Sequence, residues 1–301
     1  MDLFTRSDFD GLACAVLFKE MGIIDNWRFV HPKDLQDGTT KVTSNDILAN
    51  VPYVPGCGMW FDHHTSELER HGLPSDFKGS WQKLDSAARV VYEYYKDQYD
   101  LSRFDEMLEY VDRVDSGKLT IDDVLNPENW VMLGFLSDPR TGLGRFHNFS
   151  ISNYSLMQDM VDYCRTMPIQ DILQLPDVKE RVAMYHEQTA LFKEMARNHT
   201  KINGNVIVTD LRGVEPIHVS NRFMIYSLYL EQNISMWIVD GRSMGNCPIA
   251  VGYSVLNRTA TVDVGSIMLQ YGGGGHKQVG TCQVSYEDAD RVIAELQEKL
   301  Q

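Results

Sequence analysis

The chain has 301 residues, 43% of them hydrophobic and 23% charged, with a formal net charge of −14. Such a composition belongs to a soluble globular protein with enough chain for one large domain or two ordinary ones. The acidity argues against a protein that coats or tracks long nucleic acid, because that affinity comes largely from Lys and Arg on phosphates. A small phosphorylated ligand, held by a metal ion and a few local donors, stays compatible with it. No run approaches the ~20 apolar residues of a membrane span. Met-Asp-Leu-Phe-Thr at the start lacks the basic region and apolar run of a signal peptide. Five scattered cysteines without a Cys-x-x-Cys pair indicate neither a disulfide framework nor a zinc ribbon. The expectation is a cytoplasmic protein with no membrane partner.

In chain order, Leu3 to Thr5 reads as a short buried strand and Gly11 to Gly22 as an apolar helix. Trp27 to Val30 is a second strand, stopped by Pro32. Val42 to Leu48 is a weaker one, and Met59 to Phe61 is an apolar run entering Asp62. Strands alternating with helices predict an α/β fold with a parallel sheet. Ligands of such sheets sit at the carboxyl ends of the strands. Asp8, Asp10, Asp46 and Asp62 all fall within or just after candidate strands, which predicts that they meet. Residues 83–116 and 154–199 read as helical, and 126–153 as irregular, with Pro127, Pro139, Gly142 and Gly144. Asn203-Gly204 marks a turn. A second α/β pattern follows, with strands at Val206–Thr209, Ile234–Val239 and Ile249–Leu256 and helices at Asn221–Glu231 and Asp288–Leu300. The predicted domains are 1–195, with its helical connector, and a smaller one at 203–301.

Three local patterns carry chemistry. Ser7-Asp8-Phe9-Asp10-Gly11 places two carboxylates at i and i+2, on one face of an extended segment. Hard divalent cations favour such oxygens, and an acidic helix cap is the competing reading. Trp60-Phe61-Asp62-His63-His64 offers a carboxylate and two imidazoles at the end of an apolar strand. These can supply a metal ligand and a phosphate donor; a solvated loop is the alternative. Tyr271-Gly272-Gly273-Gly274-Gly275-His276 lets backbone amides converge on an anion, more so if a helix starts after Gly275. A flexible linker would instead show Ser-rich, repetitive flanks.

Taken in this order, the three patterns resemble the DHH phosphoesterase superfamily, in particular its nanoRNase and exopolyphosphatase-related members. The Asp-His-His is Asp62, His63 and His64. The glycine run with His276 is similar to the DHH-associated C-terminal domain. The resemblance spans essentially the whole chain. It implies an N-terminal parallel-sheet domain, a helical connector and a smaller α/β domain, with the active site in the cleft between the domains. It further implies Mn²⁺ or Mg²⁺, one or two ions, held by Asp8, Asp10, Asp46, His63 and Asp115. Asp112, one helical turn before Asp115, is an alternative to it. Asp62 and His64 would be catalytic, with His64 facing the substrate phosphate. Arg258, Gly273, Gly274, Gly275 and His276 would bind the rest of the substrate, with Arg222 a weaker candidate. The family's first motif commonly reads His-x-Asp-x-Asp-Gly, and here Arg6 stands in the His position. Arg cannot ligate a cation, so the first metal site is either weaker or emptied, with the Arg6 guanidinium as a fixed positive charge toward substrate.

The implied activity is metal-dependent hydrolysis of short 5′-phosphorylated oligoribonucleotides or linear dinucleotides. Exopolyphosphatase or nucleoside bisphosphate phosphatase activity is the alternative enzyme. A nucleotide-binding protein with catalysis weakened by Arg6 is the alternative outside enzymes. The partner is a small phosphoester, and a homodimer is compatible with the reading.

Overall fold

The computed structural model describes residues 1–65, 72–241 and 245–301. They form two compact units, 1–118 with 127–184 and 119–126 with 185–301. No helix among the described residues is long and apolar enough to cross a membrane.

The first unit is built on a parallel sheet of β1 (Asp2–Arg6), β2 (Asn26–Val30), β3 (Asp46–Ala49), β4 (Met59–Asp62) and β5 (Gly79–Trp81), in the order β2-β1-β3-β4-β5. The central strands are short apolar runs because both faces are covered; all four residues of β3 are buried. One face takes the helix Phe9–Glu20, buried from Phe9 to Phe18. The other carries Phe4, Leu35, Leu48, Val51 and Trp60. Trp60 is fully buried, and its indole N–H donates to the Val51 carbonyl at 2.9 Å, so the large ring is buried without an orphaned donor. The chain leaves β1 in opposite directions on its two sides, toward β2 and toward β3. That reversal opens a crevice at the carboxyl ends of β1 and β3.

The expected α/β class and parallel N-terminal sheet are present. Two local expectations differ. Residues Asn129–Ser137, expected to be irregular, form a helix. Its Trp-Val-Met-Leu-Gly-Phe run is buried nearly all round, so it shows no amphipathic period to read. Asp8 and Asp10 do not lie on one extended face. Asp8 caps the helix Phe9–Glu20 by accepting from the Gly11 amide, and Asp10 sits in its first turn.

The second unit has a mixed six-stranded sheet in the order β10-β11-β9-β8-β7-β6. Its strands are β6 (Thr200–Asn203), β7 (Val206–Asp210), β8 (Ile234–Ile238), β9 (Asn246–Tyr253), β10 (Gly274–His276) and β11 (Val279–Ser285). Only β7 and β8 pair in parallel. The helix Tyr286–Lys299 buries Ala289, Val292, Ile293 and Leu296 against a core that includes Val206, Met236 and Ile249. The helix expected over Asn221–Glu231 is confined to Met224–Leu228. The glycine run is not the start of a helix. Gly274–His276 is a strand of a tight hairpin with β11. A Cβ on Gly273 would lie 2.0 Å from the Thr281 carbonyl oxygen, and one on Gly275, at φ +155°, 2.1 Å from that of Val279. These two glycines are therefore required for strand-to-strand approach.

Gly11 is the tightest constraint next to the crevice, since a Cβ there would meet the Arg6 carbonyl oxygen at 1.9 Å and Thr5 Oγ1 at 2.7 Å. Gly11→Ala is expected to destabilise the protein by about 3 kcal/mol through overpacking. Urea unfolding followed by tryptophan fluorescence measures this; an unchanged midpoint would contradict the close packing of helix on strand.

Candidate metal centre

Four carboxylates approach one another at the carboxyl ends of β1 and β4. Asp8, Asp10 and Asp62 are each no more than 4% exposed. Each is held differently. Asp10 accepts from the Ala87 and Ala88 amides at 2.9 and 2.7 Å, the first N–H groups of the helix Ala87–Tyr95. A helix N-terminus is a ready partner for an anion. Asp8 Oδ1 accepts from Gly11 N at 3.0 Å and Asn50 Nδ2 at 2.9 Å, and its Oδ2 is 3.0 Å from Arg6 Nε. Asp62 Oδ1 accepts from His64 Nδ1 at 2.8 Å.

Asp115 arrives on the helix Asp105–Asp115. One turn earlier, Asp112 is bound by Ser86 Oγ at 2.6 Å and Arg89 Nε at 2.8 Å. That ion pair ties the helix to the start of the Ala87–Tyr95 helix and occupies Asp112. It leaves Asp115 as the carboxylate that faces the cluster. His63 completes it. Its Nδ1 lies 3.1 Å from the Leu84 carbonyl oxygen, which can only accept, so Nδ1 carries a proton and, in the neutral ring, Nε2 is the nitrogen left to ligate. Nε2 stands 3.3 Å from Asp115 Oδ2 and 3.7 Å from Asp10 Oδ2.

Asp10, His63 and Asp115 thus bring two carboxylates and an imidazole together, their ligating atoms within 4.8 Å of each other. His63 Nε2 and Asp62 Oδ2 are buried and have no hydrogen-bond partner among the described residues. Orphaned acceptors are costly unless a cation joins them. Two ligands at right angles, each about 2.1 Å from an ion, are about 3 Å apart, near the 3.3 Å between His63 and Asp115. The residues therefore fit a hard or borderline divalent cation.

The electrostatics carry the same mark. Burial, together with the charges of Asp115 and Asp8, raises Asp10 well above the usual carboxylate range. Burial also raises Asp8, against the opposing charges of Arg6 and Arg140. Burial alone would lower His64. Its hydrogen bond to Asp62 and the charges of Asp62, Asp115 and Asp10 outweigh that and push it up to about 9.

One predicted ligand is not at this place. Asp46 begins β3 and pairs in register with Asp2, at the amino end of the sheet, about four residues or 13 Å from where Asp8 follows β1. Its carboxylate accepts from Thr43 N and Thr43 Oγ1 at 2.6 and 2.9 Å, closing a turn. The residue at the carboxyl end of β3 is Asn50. It is buried, has φ +57°, and donates its backbone N–H to Phe61 O beside Asp62. Sequence reading missed it. The usable signal was its place directly after the apolar run Ile47–Ala49, as Asp62 follows Trp60-Phe61. Arg140 was also missed. It is held by Asp138 at 2.7 Å, and against the lowering effect of burial the charges of Asp138, Asp8 and Asp115 raise its pKa.

In the second unit Arg258 is exposed, and its Nε donates to the Val255 carbonyl. Gly252 of β9 pairs with Val279 of β11, so the turn containing Arg258 follows β9 at the same end of the sheet as the His276–Gln278 turn. His276 is exposed there. Arg222 stacks 4.3 Å from Phe223.

No family model matches the chain, and no curated protein matches it. Solved structures do. The pGpG-specific phosphodiesterase PggH of Vibrio cholerae is 44% identical, with 99% of this chain and 98% of that one covered and a TM-score of 0.86. An exopolyphosphatase-related protein of Bacteroides fragilis is 13% identical over 99% of this chain and 91% of that one, with a TM-score of 0.52, and shares the fold.

The raised His64 has a consequence for the metal-free protein. Its pairing with Asp62 stabilises the fold fully below pH 6.5, and that stabilisation is lost as pH rises through about 9. NMR titration of the metal-free chain is expected to place the His64 imidazole near 9, and His64→Gln to flatten the stability profile over that window. A titration at the ordinary histidine value would contradict the Asp62 contact.

Proposed function

The chain belongs to the DHH phosphoesterase superfamily, and on that premise we propose that it is a metal-dependent phosphodiesterase of linear dinucleotides with a 5′-phosphate, pGpG among them. The observation that carries the substrate is the 44% identity to PggH over 99% of the chain. The Asp10–His63–Asp115 cluster supports the chemistry. The likeness to the exopolyphosphatase-related protein speaks for the fold, so polyphosphate ranks second as a substrate.

In this reading Asp10, His63 and Asp115 hold Mn²⁺ or Mg²⁺. When bound, the ion supplies a Lewis acid that activates water and offsets charge on the phosphoryl group. The chain's own residues do the rest. The Leu84 carbonyl fixes the His63 tautomer, leaving Nε2 free to ligate. Asp62 keeps His64 protonated through neutral pH, so that its ring places positive charge and an Nε2–H donor beside the cluster. That donor is suited to the charge that builds on a phosphoryl oxygen during transfer. Arg6, pinned by Asp8, adds a donor whose charge does not titrate. Arg258, His276 and the backbone of Gly273, Gly274 and Gly275 bind the substrate's terminal phosphate, and very short substrates are the preferred ones. The net charge of −14 leaves long strands disfavoured. Five free cysteines suit the cytoplasm.

Turnover assays with Mn²⁺ on pGpG, other phosphorylated dinucleotides, longer RNA, polyphosphate and adenosine bisphosphate test the proposal. Fastest hydrolysis of the dinucleotides is expected; faster turnover of polyphosphate would install the second reading. Nucleotide binding without hydrolysis of any of these would leave a binding protein. His63→Ala should weaken Mn²⁺ binding by more than about 100-fold. Arg258→Ala should raise KM about 10- to 100-fold with little change in kcat, the loss of a charged hydrogen bond to phosphate. An unchanged KM would remove Arg258 from the site.

A further inference from the structure

Both oxygens of Asp8 are already satisfied by the protein. Oδ1 takes two N–H donors, from Gly11 and Asn50, and Oδ2 lies 3.0 Å from the Arg6 guanidinium. The contrast with the neighbouring cluster is sharp. Asp10 takes only neutral backbone N–H groups, and the His63 Nε2 that faces it and Asp115 has no hydrogen-bond partner among the described residues, whereas Asp8 is held by a full cation and a side-chain amide. A cation at Asp8 would have to displace Arg6 and turn the Asn50 amide. Asn50 is 2% exposed and fixed in the left-handed region between β3 and β4, with its backbone N–H on Phe61 O, so it has little room to do so. Arg6 is the last residue of β1, paired in register with Val30, and its side chain stays 31% exposed. One part of the guanidinium grips Asp8, and the remaining N–H groups are available to a ligand.

We propose that Arg6, clamped by Asp8 and supported by Asn50, is a built-in cation that takes the place of a second metal ion. The chain accordingly binds one divalent cation, at Asp10, His63 and Asp115, and Arg6 binds the phosphoryl group beside it. The inference rests on the functional reading above for its substrate, but its metal count does not. A guanidinium presents a planar fork of donors that suits phosphoryl oxygens, and it cannot be chelated or deprotonated. One of the three positive charges at such a site would therefore be permanent, and the other two would depend on metal supply.

The test counts ions and does not require turnover. Calorimetric titration of the full chain with Mn²⁺, with elemental analysis after dialysis, is expected to give one ion per chain. The Mn²⁺ electron paramagnetic resonance spectrum should be that of isolated ions. The double substitution Arg6→His with Asn50→Asp, which exchanges donors for ligands, is expected to bind two ions and to show a spin-coupled pair. Inorganic phosphate should bind the Mn²⁺-loaded wild type about 10- to 100-fold more tightly than Arg6→Ala, with the metal count of that variant unchanged. Two ions in the wild type, or equal phosphate affinity in Arg6→Ala, would overturn the proposal. Because the wild-type count needs no substitution, a variant that fails to fold does not rescue it. Loss of hydrolysis alone would bear on the functional reading and leave the count standing.

Discussion

Four aspartates brought to one place, three of them almost fully buried, are the constraint on which the first unit is organised. Like charges at low effective dielectric repel strongly, and a buried carboxylate without a partner is destabilising by several kcal/mol. The surroundings answer each in turn. The first turn of the Ala87–Tyr95 helix neutralises Asp10 with backbone N–H groups. Arg6 answers Asp8, and His64 answers Asp62. What is left over is Asp115 beside the His63 imidazole, together with one buried Asp62 oxygen that has no hydrogen-bond partner among the described residues. Partly compensated carboxylates grouped around an imidazole make a position that a divalent cation fits.

The sheet explains how the charges reach one another. In a parallel sheet every strand ends at the same side, so polar residues that directly follow short apolar strands converge without any local sequence relation. Asp8 comes just after β1, Asn50 after β3, and Asp62 and His63 at the end of β4. β5 contributes by holding the backbone. Trp81 Nε1 donates to His64 O, and Gln82 N donates to Asp62 O. The helical part of the unit then sets the last carboxylate through the Arg89–Asp112 pair, which fixes the rotation of the helix carrying Asp115.

Much of this was legible in the sequence, for reasons that differ by residue. Asp62-His63-His64 and Asp8-x-Asp10-Gly11 are contiguous, and each sits where a strand turns into something else. The parallel α/β class followed from alternation of apolar runs and helices. Asp46 misled because it borders the Ile47–Ala49 run on the wrong side; an acidic residue before a strand and one after it look alike until the strand is paired. Asp112 and Asp115 are one helical turn apart, and only Arg89, more than twenty positions away, separates their roles. The hairpin made by the glycine run was not legible, because the same freedom that lets amides converge on an anion also serves strands that approach too closely for any Cβ.

Asn50 sits at φ +57°, a backbone region that Gly, Asn and Asp enter with little strain and most residues do not. Evolution at this position is therefore confined to a very small alphabet. Within it, Asn and Asp are nearly the same shape and differ by one formal charge. A lineage can thus exchange a neutral clamp for an anionic ligand here without rebuilding the turn. Dependence on metal becomes a trait that can be adjusted by a near-isosteric change, while the scaffold and its other carboxylates stay as they are.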